Sequence, residues 1–179
     1  MVQPILEMQG IQKYFPGVHA LDDCRFELRA GEVHALVGEN GAGKSTLMKI
    51  LSGIYPRDGG SVRLDGREIN VKSTLEAQRL GISIIHQEIN LMQDLTVSEN
   101  IYIGREPTQG ILLNGAKQDA QTNALLDSLR LTDIRAGTRV RTLTVAKQQM
   151  VEIAKALSFS NTRILIMDEP TAALTESEI

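Results

Sequence analysis

The chain has 179 residues, 42% hydrophobic and 23% charged, which is ordinary globular composition with enough apolar material for one domain and a real core. A formal net charge of -3, a pI near 5.7 and the lack of any basic cluster argue against nucleic acid as a partner. The single cysteine, Cys24, excludes an intrachain disulfide, no apolar run approaches the ~18 residues of a membrane helix, and the start MVQPILEMQG does not read as a secretory leader.

From Ile5 to about Ile69 the pattern is rich in strands. Cys24, Phe26 and Leu28 alternate in DDCRFELR, so a strand is expected with Cys24 as a small core residue, followed by a turn at Gly31. VHALV, Val33 to Val37, reads as a buried strand leading through a glycine-rich loop into a helix that runs to Ser52 and stops at Gly53. Asp65-Gly66, between Val62/Leu64 and Ile69, is a hairpin turn.

From Ser73 to about Ser160 the chain reads as mostly helical, interrupted by the strand-like GISIIHQ. Thr96 and Glu99 form a capping box ahead of Ile101, and Asn114 caps a helix through Leu125 and Leu129. Thr144 starts a helix whose Met150, Ile153, Ala154 and Leu157 share one face. A last strand, Arg163 to Met167, is continuously apolar, as in a parallel sheet covered on both faces, and ends in Asp168-Glu169. The chain stops at TAALTESEI, where an α/β domain is expected to be unfinished.

The chemistry is concentrated in GENGAGKST, Gly38 to Thr46, which has the form Gly-x-x-x-x-Gly-Lys-Ser between an expected strand and helix. Glycines let the backbone N–H groups of Gly38, Glu39, Asn40, Gly41, Ala42 and Gly43 close around phosphate oxygens, and the helix N-terminus adds positive potential. Lys44 then reaches the β and γ phosphates, Ser45 ligates Mg2+, and Thr46 ends the motif as a candidate binding residue. With a phosphate loop present, Asp168 at the end of its strand is placed to hold the same magnesium, and Glu169 to act as general base on an attacking water. His19, His34 and His86 lack metal-ligand spacing.

Gln87 at a strand end, the helical stretch after it, and a helix leading directly into Asp168-Glu169 make the order of features resemble the nucleotide-binding subunit of ABC transporters from Ile5 to Ile179. By that resemblance Gln87 contacts magnesium and the attacking water and couples the site to a membrane partner. Phe15 stands where the family stacks an aromatic on adenine, with Tyr14 beside it as the alternative. Leu143, Thr144, Val145, Ala146 and Lys147 occupy the signature that donates to the nucleotide on the opposing cassette, with both glycines and the glutamine of Leu-Ser-Gly-Gly-Gln replaced. The resemblance therefore implies an asymmetric pair of sites. Ala172-Ala173-Leu174-Thr175 likewise departs from the family's aspartate at the following loop.

FPGVHALDD, IIHQEINL, LTVSENIYIGREP and QQMVEIAKAL resemble the ATPases of bacterial monosaccharide importers of the ribose, galactose and arabinose type, which carry two cassettes per chain. The expected fold is α/β, a P-loop NTPase core with an antiparallel β arm and a helical subdomain, cut short at the C-terminus. The core takes about 1–87 and 161–179, and the helical part about 88–160. The expected function is ATP hydrolysis driving monosaccharide import at the cytoplasmic face of the membrane. Its partners are a second cassette, an integral membrane permease and, indirectly, a sugar-binding protein. The alternatives are a fragment or interaction module that binds nucleotide without hydrolysing it, and a soluble ABC-type ATPase outside transport. Lacking a central strand, the 179-residue chain alone is expected to be marginally stable and not to turn over ATP.

Overall fold

The structure is a computed structural model that describes residues 3–85 and 88–168. It divides into two compact units, Met1–Ile82 and Ser83–Ile179.

The first unit is built on an antiparallel sheet of order β2-β1-β3-β4, with β1 at Leu6–Phe15, β2 at Val18–Leu28, β3 at Gly59–Leu64 and β4 at Arg67–Ile69. β1 is central, pairing Leu6 with Leu28 on one side and with Leu64 on the other. Its buried residues are Leu6 and Met8, then Ile11 and Lys13, so the alternation slips by one residue between them. The slip is a bulge at Gly10, which has φ 63°. Gly60 of β3 lies against it so closely that a Cβ there would stand 2.5 Å from the Gly10 carbonyl. The expected turn at Asp65-Gly66 is present, both residues having positive φ (50° and 73°), the type that matches the twist of a two-residue hairpin. Cys24 sits on β2 as expected but is only half-buried. Helices α1, Lys44–Leu51, and α2, Thr74–Arg79, complete the unit. α1 ends as expected, with Ser52 as its C-cap and Gly53 at φ 74°.

The expected strand VHALV does not form. Residues 32–39 carry no regular structure, and Val33 and Val37 are 100% and 92% exposed. Among the described residues no strand pairs with this segment, since β1 to β4 pair only with one another. An isolated β-run without a ladder partner has no hydrogen bonds to hold it extended, whatever its apolar content.

The second unit holds β5, Ile82–Ile85, whose first residue lies at the boundary, then α3, Val97–Tyr102, and a small hairpin of β6, Thr108–Gln109, and β7, Leu112–Leu113. It continues with α4, Gly115–Ser128, a 3-10 turn at Val140–Thr142, α5, Val145–Leu157, and β8, Ile164–Met167. The capping box at Thr96 and Glu99 is complete, and Asn114 caps α4 by accepting from the Lys117 N–H. Hydrogen bonds from the Thr96 N–H, first, and the Thr96 hydroxyl hold the Glu99 carboxyl below the usual carboxylate range.

The core of this unit joins Leu91, Val97, Ile101, Leu126, Ile134, Val140, Val151 and Ala154. On α5 Ala146, Gln149, Val151, Ala154 and Ala156 are buried; of the expected stripe Ala154 is buried and Ile153 half-buried, so the expectation is corrected only in part. Met150 packs only partly and Leu157 is exposed. At about 100° per residue the buried positions flank the expected stripe on both sides, so α5 is covered over more than half its circumference, with Val151 and Ala154 in the same core as Val97 and Ile101 of α3.

β8 also departs from expectation. Ile164 and Ile166 are buried, Leu165 is half-buried and Met167 is exposed, so only one face of the strand is covered. Its strand neighbour is β5. Both strands of this pair fall within the segments, about 1–87 and 161–179, expected to form one core.

Candidate ATP site and signature helix

The residues expected to form the phosphate loop, 38–46, lie in the first unit. Gly41 and Gly43 both take φ 86°, in the left-handed region that a side chain disfavours. At Gly43 space also forbids a side chain, because a Cβ would lie 2.6 Å from Leu21 Cδ2 and 2.8 Å from the Ala20 carbonyl oxygen. The loop is thus seated directly on β2, three residues beyond the turn that follows Phe15.

Gly43 is also the N-cap of α1, which has no side-chain cap. The other described α-helices are capped by Ser73, Thr96, Asn114 and Thr144. A glycine cap leaves the helix start open to an anion's oxygens, where the helix dipole favours negative charge. The first helical bond is Leu47 N to Gly43 O, at 2.9 Å, so Lys44, Ser45 and Thr46 form the first turn. Gly38, Glu39, Asn40, Gly41 and Ala42 are exposed to solvent. Lys44 Nζ folds back to donate to the carbonyls of Gly38, at 2.8 Å, and Glu39, at 2.9 Å. An ammonium has three N–H donors, so this arrangement holds the lysine over the loop with one donor remaining for a phosphate oxygen.

Phe15, at the end of β1, is half-buried and meets Tyr55 edge to face at 5.3 Å between centroids. Tyr14, the alternative aromatic, is stacked on His19 at 4.1 Å. The end of β1 is fixed by Asp58, which accepts from the Tyr14 N–H at 2.7 Å and from the buried Lys13 Nζ at 3.0 Å. Those two bonds, the Tyr14 N–H first, hold the Asp58 carboxyl below the usual range. Neither Tyr55 nor Asp58 was legible as a site residue in the sequence, since each acts across the fold from its partner.

In the second unit Asp168 directly follows β8, and its N–H donates to the carbonyl of Ile85, the last residue of β5, at 3.2 Å. The two strand ends that lead to Gln87 and Glu169 are therefore joined. Gln87 and Glu169 themselves, and Ala172 to Thr175, lie outside the described residues.

The helix expected to follow the signature begins at its expected cap. Thr144 is its N-cap, and its Oγ1 accepts from the Lys147 N–H at 3.3 Å. Leu143 packs partly against the core. The two added side chains are not equivalent: Ala146 turns inward and is 8% exposed, whereas Val145 is 55% exposed. Only Val145 then stands outward at the helix start. Lys147 Nζ pairs with Asp133 at 2.6 Å, which keeps the Asp133 carboxyl below the usual range.

The sequence profile of the ABC transporter family matches residues 21–172. The chain is 60% identical to a protein of Burkholderia cenocepacia assigned to ribose/galactose/methyl galactoside import as its ATP-binding protein, over 99% of this chain and 35% of the relative. It is 57% identical to the ribose import ATP-binding protein RbsA 1 of Rubrobacter xylanophilus, over 99% of this chain and 35% of that protein. The chain thus spans about a third of the length of these relatives. Among solved structures, a nucleotide-free ATP-binding cassette from an ABC transporter superposes with a TM-score of 0.82 at 26% identity, over 98% of this chain and 73% of the cassette. The fold class expected from the sequence, the P-loop cassette fold, is the one observed.

Proposed function

Because this chain belongs to the ABC transporter family, we propose that it is the ATP-binding part of a bacterial monosaccharide importer and that it hydrolyses ATP within the full-length protein. The observation that carries this reading is the phosphate loop: a helix start capped only by Gly43, with Lys44 held over the loop by its own carbonyls. The names of the relatives, all import ATP-binding proteins for sugars, support the substrate class.

In this reading the backbone N–H groups of Gly38 to Gly43 and the start of α1 bind the phosphates, and Phe15 stacks on the adenine. The strand end at Asp168, with Glu169, belongs functionally with this core, and residues 88–160 form the helical subdomain. Ser45, Gln87 and Asp168 are an all-oxygen donor set, which suits magnesium, and would hold it. Bound there, Mg2+ offsets charge on the β and γ phosphates. Lys44 contacts the same oxygens. Gln87 orients the water, and Glu169 accepts its proton as the water oxygen attacks the γ-phosphorus and the bond to the β-phosphate oxygen breaks. Leu143, Thr144, Val145, Ala146 and Lys147 face the nucleotide of a second cassette. A membrane permease is the other partner, with a sugar-binding protein acting through it, so the protein sits peripherally at the cytoplasmic face of the membrane. No described helix is long and apolar enough to cross a membrane.

Two variants of the full-length protein test the reading. Lys44→Ala removes charge-assisted contacts and should weaken ATP binding by about 1.5–3 kcal/mol, roughly 10- to 150-fold. Glu169→Gln should keep ATP affinity while lowering turnover at least ~100-fold. Unchanged ATP affinity by calorimetry in a folded Lys44→Ala protein, or parental turnover in Glu169→Gln, would refute the assignment.

A further inference from the structure

The segment that follows Gln87 is tied to α5 at two places one helical turn apart. The Asn90 N–H donates to Glu152 Oε1 at 2.7 Å, and Gln93 Nε2 donates to Gln148 Oε1 at 3.1 Å. Residues 148 and 152 are i and i+4, so both acceptors lie on one face of the helix. Gln148 also reaches back with its Nε2 to the Leu143 carbonyl at 3.0 Å, holding the residue that precedes the helix cap. On the other side of the link, Asn90 Nδ2 donates to the Glu88 carbonyl at 3.0 Å and braces the segment itself.

These bonds form a continuous chain from Glu88 through Asn90 to Glu152, and from Gln93 through Gln148 to Leu143. The Asn90–Glu152 bond spans 62 residues of sequence and has a carboxylate acceptor, which makes it the stronger of the two cross-links. Leu91, between the two linked residues, packs in the same core as Val151 and Ala154 of α5, and the polar links fix the exposed residues on either side of it.

We infer that Glu152, assisted by Gln148, is a positioning residue for ATP turnover: it locks the segment leaving Gln87 to the helix that begins at Leu143–Lys147, so that these two parts of the machinery move as one body. The inference rests on the ATPase reading above and adds to it residues that touch neither nucleotide nor water. Packing of Leu91 in the core and the bond from the Arg141 N–H to the Gln93 carbonyl, at 3.0 Å, hold the later part of the segment; Glu152 adds the anchor at exposed Asn90, and misplacement of catalytic groups by a fraction of an ångström lowers the rate of the step more than it lowers binding.

The experiment compares the full-length protein, with its permease in membranes, with Glu152→Ala and Glu152→Gln. Glutamine retains an oxygen for the Asn90 N–H; alanine does not. In Glu152→Ala, amide exchange across residues 88–93 should accelerate about tenfold, and kcat should fall about fivefold at unchanged KM for ATP. Glu152→Gln should restore both. Exchange at the parental rate in Glu152→Ala would show that the link is absent. Faster exchange with parental kcat would make it merely structural and overturn the inference, as would a loss that appears in KM. A parent that does not hydrolyse ATP would overturn the ATPase reading and the positioning role together, whereas a hydrolysing parent matched in kcat by Glu152→Ala overturns the positioning role alone.

Discussion

Asn100 offers the sharpest test of how the segment after Gln87 is held. Its side chain is fully buried on α3, where Oδ1 accepts from the Met92 N–H at 2.7 Å and Nδ2 donates to the carbonyls of Met92 and Thr96, both at 3.0 Å. Both carbonyls keep another donor when the amide is removed, Leu95 N–H for Met92 and the Asn100 N–H for Thr96. The Met92 N–H, by contrast, has Asn100 Oδ1 as its side-chain acceptor. Asn100→Ala therefore leaves one part-buried donor without its side-chain acceptor, empties the space of a fully buried side chain and weakens two acceptors that stay partly satisfied, for a total of roughly 2–4 kcal/mol. Amide exchange of residues 89–103, followed by mass spectrometry in the full-length protein, should then lose about 30- to 900-fold in protection. Asn100→Asp keeps the acceptor for Met92 but sets a second oxygen against two carbonyls, and should be rescued as pH falls and the carboxyl protonates. Protection within threefold of the parent in Asn100→Ala would refute the reasoning.

Gly43→Ala should lower ATP affinity by more than about tenfold, because the left-handed backbone and a Cβ 2.8 Å from the Ala20 carbonyl add. Gly41→Ala shares the φ but has open space, and should cost only about 1 kcal/mol, roughly fivefold; equal losses by calorimetry would contradict the packing argument. At the signature, Val145→Gly should raise hydrolysis at the opposing site while Ala146→Gly leaves it nearly unchanged, since only Val145 faces outward; the sites are resolved by inactivating each phosphate loop in turn, and an equal gain from both would sink the distinction. The Asp58 carboxyl is depressed in the folded chain, so its contribution is complete above the ordinary aspartate value of roughly 3.9 and is lost as pH falls through its lowered value. The Tyr14 amide resonance should titrate in that acid range in the parent and not in Asp58→Asn; a titration shared by both would assign it to another group.

The sequence by itself determined the features whose cause is local. The shape of the loop at residues 38–46 follows from glycine spacing, because Gly41 and Gly43 both take left-handed backbone angles and Gly43 also lies too close to Ala20 for a side chain. The caps at Thr96, Asn114 and Thr144 and the Asp65-Gly66 turn were equally legible, since each is closed by residues within three or four positions. Tertiary structure decided the rest. Whether VHALV becomes a strand depends on a neighbouring strand and not on its own residues, and here it has none among the described residues. How far round α5 burial extends was decided by tertiary packing: the expected stripe lies within the buried side, but Ala146, Gln149, Val151 and Ala156 beside it are buried as well. Val145 and Ala146 read as equivalent losses of glycine until the helix was oriented, one outward and one into the core. The hydrogen bond between Asn90 and Glu152 and the ring contact between Phe15 and Tyr55 connect residues 62 and 40 positions apart, a separation at which no sequence pattern carries a signal because only the folded chain makes them neighbours.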